Sequence, residues 1–188
     1  MAGHLPEAIS TLTQTLRLNP GNPATHNAIA NIYLQLKKIP MAISHYQTAL
    51  ELMPEYVSAK TNLAAALEVS GQHHRAISLL QEVAKENPQQ MSAYYKLGSL
   101  YAKTNQYSRA IASLKQLSRH YPENTKLFYN IACLYARLGE TEKALSSLEM
   151  ALKKGYNNWN YMKTDSDLDP VRQTINYQQL ISRYCRIR

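Results

Sequence analysis

Residues 57–70 read VSAKTNLAAALEVS and residues 73–88 read HHRAISLLQEVAKENP. In the first stretch Val57, Leu63, Leu67 and the alanines between them recur at helical spacing. Gly71 and Gln72 interrupt the pattern. Ala76, Ile77, Leu80 and Val83 then resume it as far as Pro88, which has no N–H and cannot continue a helix. The unit is a helix–turn–helix, with two helices of about 14 residues at ~1.5 Å per residue.

Working outward, the unit is copied. Ala8, Ala42, Ala76, Ala110 and Ala144 stand 34 residues apart, and so do Pro20, Pro54, Pro88 and Pro122. In the first helix, Ile29, Leu63, Leu97 and Ile131 share one position. Beside it Ala30, Ala64, Gly98 and Ala132 are always small, and Tyr33, Leu67, Tyr101 and Tyr135 hold a third place. In the second helix each ladder alanine is followed by Ile9, Ile43, Ile77, Ile111 or Leu145, and four residues later by Leu12, Tyr46, Leu80, Leu114 or Leu148. Small residues at matching places let two helix axes approach while large ones fill the adjoining space. A fixed period of this length marks one supersecondary unit repeated along the chain.

Tyr94, Leu97, Gly98, Tyr101, Ala110, Leu114, Leu117 and Pro122 carry a resemblance to the tetratricopeptide repeat family, and residues 23–54 match it with His26 where an aromatic is usual. The resemblance spans about residues 4–155 and implies an all-α fold, a right-handed solenoid of antiparallel helix pairs. The expected organisation is an array over 1–156 (half repeat 1–22, repeats 23–56, 57–90, 91–124 and 125–156) and a helical cap over 157–188, of the kind that closes bacterial arrays.

The pattern fails at both ends. The first unit begins at about Gly3, with a second helix but no first helix, so the chain reads as a fragment of a longer protein. The face around Ile9, Leu12 and Leu16 is then expected to be sticky and to support self-association. At the other end Tyr156 replaces the expected Pro. Trp159 and Tyr161 open a short irregular helix, Asp169-Pro170 starts another turn, and Thr174 is the expected N-cap of a last helix. Tyr177, Leu180, Ile181, Tyr184 and Ile187 form its apolar stripe, with Gln178, Arg183, Arg186 and Arg188 behind it. Asp165, Asp167 and Asp169 faintly resemble a calcium loop, but no Gly or distal Glu is in register, so they are read as turn and helix-start residues.

The net charge is +8, and it is uneven. Residues 1–90 hold six Lys/Arg and six Asp/Glu, residues 91–188 fifteen and seven. That asymmetry points to an acidic partner or surface. Cys133 and Cys185 are too few for a disulfide framework and read as free thiols in a reducing compartment. No apolar run approaches the ~20 residues that span a bilayer. There is no phosphate loop, GxSxG or HExxH, so no enzymatic activity, metal or cofactor is expected.

Function is therefore sought on the concave face, which the resemblance assigns to the first helix of each unit. Small and amide residues come first: Asn27, Asn31 and Asn62, with Glu68 the one acid. Tyr95, Lys96, Ser99, Lys103, Lys126, Tyr129, Asn130, Cys133 and Arg137 follow. Tyr95 and Tyr129 offer rigid apolar surface with a polar tip. The amides both donate and accept, and the cations attract carboxylates. The face suits an extended peptide or partner helix of acidic character. Chaperone-binding members of the family use a clamp of Lys, Asn, Asn, Lys and Arg. The matching places here hold Asn27, Asn31, Asn62, Ser92 and Lys96, which lack both lysines, so that clamp is not expected. The asparagines also resemble those in arrays attached to protein O-glycosyltransferases, where they hold substrate backbone. Two further readings stay open: a basic surface for nucleic acid or another polyanion, and a scaffold arm of a larger enzyme or membrane protein. Arg109, Lys115, Arg119 and Lys143 fall on second helices, where the charge is spread rather than gathered in a stripe.

Overall fold

The computed structural model describes residues 4–185, and these are all-α. The expectations for Gly3, for the Cys185 thiol and for Arg186, Ile187 and Arg188 lie outside the described residues. The helices are α1 (His4–Leu18), α2 (Pro23–Gln35), α3 (Ile39–Leu52), α4 (Val57–Val69), α5 (His73–Glu86), α6 (Met91–Lys103), α7 (Tyr107–His120), α8 (Thr125–Arg137) and α9 (Thr141–Lys153). The short α10 (Trp159–Thr164), a 3-10 turn (Ser166–Leu168), α11 (Asp169–Arg172) and α12 (Ile175–Cys185) complete the chain. The fold class is the expected solenoid of helix pairs: α2/α3, α4/α5, α6/α7 and α8/α9, preceded by the single helix α1.

Two local devices punctuate the repeats, the second of them lacking after α9, where Tyr156 stands in place of Pro. Within a pair, the turn passes through one residue in the left-handed region: Lys37 (φ 57°), Gly71 (79°), Asn105 (57°) or Gly139 (80°). These residues are also 34 apart, a third ladder that the mixture of Lys, Gly and Asn hides in the sequence. At Gly71 the turn satisfies the last carbonyls of α4: the Gly71 N–H donates to Glu68 at 3.0 Å and that of Gln72 to Leu67 at 2.8 Å. Between pairs, the residue preceding Pro is pushed out of the helical region. Met53, Asn87 and Tyr121 have φ of −142°, −127° and −128°, which ends α3, α5 and α7. Asn22 starts α2: its side chain accepts from the Thr25 N–H at 3.2 Å, with Pro23 in the first turn.

The residues pack as two compact units, Met1–Ala93 and Tyr94–Arg188. In the first, Ala42 and Ala76 are fully buried, with Ala30 and Ala64 at the matching places of α2 and α4. Lys60 is 4% exposed. Its ammonium reaches Glu82 at 2.7 Å and Glu86 at 2.8 Å, and this pairing holds its charge against burial and raises its pKa. By contrast, α1 has no buried residue, and Ile9, Leu12 and Leu16 are only half-buried.

In the second unit Ala110 and Ala144 take the same role. A Cβ added at Gly98 would come within 3.2 Å of the Leu114 side chain, so α6 and α7 are already in close contact there. The tail packs on α8 and α9. Met162, Leu168, Val171, Tyr177 and Leu180 are buried, as expected for a cap. The Tyr177 N–H donates to Thr174 Oγ1 at 3.2 Å, so Thr174 starts α12 as predicted.

Replacing Ala110 with Leu inserts three heavy atoms into a helix crossing that has no space. It is expected to cost roughly 1–3 kcal/mol, read as a lower midpoint in chemical denaturation. An unchanged midpoint would count against this packing register.

Candidate functional site

The second unit carries an open cleft of about 520 Å³ between the faces of α6 and α8, closed at one end by the cap. Its floor is Gly98, Leu114, Leu134 and Cys133. Tyr95, Ser99, Ala102 and Lys103 line one side, and Asn130 and Arg137 the other. Asn105 and Tyr107 from the α6–α7 turn, with Tyr161, Asp165 and Asp167 from the cap, complete the rim. Six of the concave-face residues singled out in the sequence thus meet here: Tyr95, Ser99, Lys103, Asn130, Cys133 and Arg137. Lys96 and Lys126 belong to the same helices but do not line the cleft.

Tyr129 departs from expectation. It is not an exposed aromatic surface but is 2% exposed. The cap covers it, because its ring stacks on Tyr156 (centroids 4.4 Å apart, 11° between planes) and its hydroxyl donates to Asp165 Oδ2 at 2.6 Å. Burial, with the Asp165 carboxylate beside it, holds the phenol far above its ordinary pKa, so it stays protonated and donates. Tyr156, buried in the same stack, is pushed up to about 12. The Cys133 thiol also faces Asp165 Oδ2, at 3.6 Å. Burial first, and Asp165 second, push its pKa well up, which makes it a poor nucleophile.

The Asp cluster therefore does more than the turn and helix-start work read from the sequence. Asp165 does cap the 3-10 turn, its Oδ1 accepting from the Asp167 N–H at 3.0 Å. It also puts a carboxylate, 9% exposed, against the face of α8. Asp167 Oδ1 takes a hydrogen bond from Arg137 at 2.7 Å, and Arg137 donates a second to the Tyr107 hydroxyl at 2.8 Å. The Arg172 guanidinium bonds the Asp165 carbonyl and the Asp169 carboxylate and so holds the loop in place. The cleft is consequently less positive than the sequence implied: part of the charge on Arg137 is answered from within the chain.

In the first unit the three groove asparagines hold one another. Asn62 Nδ2 donates to Asn31 Oδ1 at 3.1 Å and lies 3.3 Å from Asn27 Oδ1. The Tyr46 hydroxyl donates to the same Asn31 oxygen at 2.5 Å. This network fixes the amides in place. On the second helices, the ammonium groups of Lys115 and Lys143 lie 5.2 and 5.9 Å from the centre of the Tyr135 ring. Those two charges are closer together than the sequence suggested. Among the described residues no helix is long and apolar enough to cross a membrane.

Tyr129→Phe leaves the buried Asp165 carboxylate short of one donor. The expected loss is about 1.5–3 kcal/mol, the range for a hydrogen bond to a charged group, measured by chemical denaturation. A stability equal to the parent's would show that the hydroxyl contributes nothing to seating the cap.

Comparison with known proteins agrees with this architecture. The tetratricopeptide repeat profile matches residues 40–103, 70–120 and 101–164 in one form and residues 23–56 in another. No curated protein sequence matches. Among solved structures, the chain is similar to a crystal structure of MamA, with 24% identity over 81% of this chain and 90% of that one and a TM-score of 0.72. MamA residues 41 to the end from Desulfovibrio magneticus RS-1 align at 21% identity over 88% and 90% of the two chains, TM-score 0.70. YrrB, described as a tetratricopeptide protein with an unusual peptide-binding site, aligns at 15% identity over 94% and 92%, TM-score 0.68. At these identities the structural matches speak to the fold alone. With the repeat profile covering residues 40–164 and the same helix pairs in the structure, the chain belongs to the tetratricopeptide repeat family.

Proposed function

We propose that the second unit's cleft holds an extended segment of a partner protein and that acidic groups on that segment strengthen the contact. The observation that carries this reading is the convergence of Tyr95, Ser99, Lys103, Asn130 and Arg137 on one open cleft of about 520 Å³. That volume is within the ~300–1,000 Å³ range of ligand pockets. The floor is apolar, Tyr95, Tyr107 and Tyr161 supply aromatic walls, and Asn130 can pair with a peptide group through donor and acceptor at once. The acidic preference is supported by Lys103 in the cleft, by Lys96 and Lys126 on the same helices, and by the chain's own use of Asp167 against Arg137. In the first unit the fixed amides of Asn31 and Asn62 are suited to gripping backbone. The cap is a permanent wall. Releasing it would expose five buried apolar side chains, a cost of order 10 kcal/mol at ~1.5–3 kcal/mol each.

A peptide selected from a random library should bind the parent, and Lys103→Glu should weaken it about tenfold, equivalent to ~1.4 kcal/mol, by fluorescence anisotropy. Lys115→Glu combined with Lys143→Glu should leave that affinity unchanged. The pair of ammonium groups at Tyr135 is the one observation favouring the polyanion reading. The reverse outcome, with affinity lost in the Lys115/Lys143 variant and collapsing with salt, would support that reading instead.

A second contact is proposed for α1. Its Ile9, Leu12 and Leu16 face is half-exposed, which suits association with another copy. Light scattering should show a mass that rises with concentration for the parent and stays monomeric for Leu12→Asp. A parent that is monomeric throughout would rule the contact out.

A further inference from the structure

We propose that His26 on α2 and His45 on α3 form a two-imidazole chelate for a borderline divalent transition-metal ion, with Cu²⁺ the strongest binder. The site lies wholly in the first unit. The Nδ1 atoms of the two rings are 3.1 Å apart. With metal–nitrogen bonds of ~2.0–2.1 Å, nitrogens at that separation subtend roughly 100° at a shared ion, between the tetrahedral angle and the right angle of a tetragonal site. The ring centroids are 5.3 Å apart, and shared coordination requires the rings to tilt toward a common point.

A second observation concerns the other edge of one ring. His26 Nε2 is 3.3 Å from the Pro20 carbonyl oxygen. A carbonyl only accepts, so Nε2 carries the proton and Nδ1 presents its lone pair to His45. A ligating histidine is held in this way when its distal N–H is anchored on a backbone carbonyl. The Tyr33 ring, 5.5 Å from His45, backs the second imidazole.

Without metal, the same pair shares one hydrogen bond, with His45 Nδ1–H donating to His26 Nδ1. On binding, His45 exchanges that proton through water to its own Nε2. Both Nδ1 lone pairs then face the ion, and the neutral pair releases no net proton. Among the described residues no group of three His, Cys, Asp or Glu side chains is placed to hold a metal, so water completes the shell. Both rings are half-buried rather than sealed, which lets water reach it. Two imidazoles with water suit a tetragonal ion better than closed four-ligand zinc, and the order of divalent affinities puts Cu²⁺ first.

The test is a Cu²⁺ titration of the full chain in a His4→Ala background, which removes an exposed amino-terminal histidine. The readouts are visible absorption, electron paramagnetic resonance and melting temperature. Expected are one equivalent of nitrogen-coordinated Cu²⁺ and a raised melting temperature. His26→Gln and His45→Gln should each abolish both effects, while His74→Ala should keep them. The proposal is overturned if the background protein binds no nitrogen-coordinated Cu²⁺, if either Gln variant titrates like it, or if His74→Ala loses the site equally.

Discussion

The buried carboxylate of Asp165 is the constraint on which the second unit's chemistry depends. A carboxylate at this depth is tolerable only if donors surround it, and Tyr129, Cys133 and the Asp167 N–H supply them. The consequences run in both directions. Tyr129 is withdrawn from the cleft, and Asp167 is carried to Arg137. The cap becomes the cleft's end wall rather than a lid over apolar surface alone. The cleft that remains is aromatic and amide-rich, with Lys103 and the Asp167-paired Arg137 on its sides.

The two units solve the problem of polar groups on a first-helix face differently. In the first, amides bind amides, with Tyr46 completing the network. This costs little desolvation because no charge is buried there. Among the described residues of that unit the buried charge, Lys60, lies among Glu82 and Glu86 of α5, which answer it. In the second, a full carboxylate is buried and must be matched by phenol, thiol and backbone donors.

Much of the fold was legible in the sequence because the period of 34 recurs in several independent registers. Ala42, Ala76, Ala110 and Ala144 are almost wholly buried, as a ladder of small residues at helix crossings requires. Thr174 starts its helix as read, since an N-cap is a local signal. The left-handed ladder was hidden because Lys37 and Asn105 adopt a conformation usually left to glycine. The cleft was half legible. Register placed Tyr95, Ser99, Lys103, Asn130 and Arg137 on one face, but register does not say what a segment outside the repeats will cover. The bond from Asp165 to Tyr129 joins residues 36 apart, across the end of the repeat pattern. The Asp spacing failed as a metal loop and was read as turn and helix-start duty, which is local and gives no sign of a contact with α8. The His26–His45 contact was invisible for a similar reason: it joins two helices of a pair through residues 19 apart, and only His26 stood out in register, where an aromatic is usual.

We propose that partner binding takes place on the α6–α8 cleft beside the cap. Mapping amide shifts by nuclear magnetic resonance on the full chain, with a library-selected peptide added, tests it most directly. Perturbed amides are expected to gather at Ser99, Lys103, Asn130 and Arg137 and at the Asp165–Asp167 segment. Shifts gathered on α7 and α9 around Lys115 and Lys143, with the cleft unchanged, would contradict it.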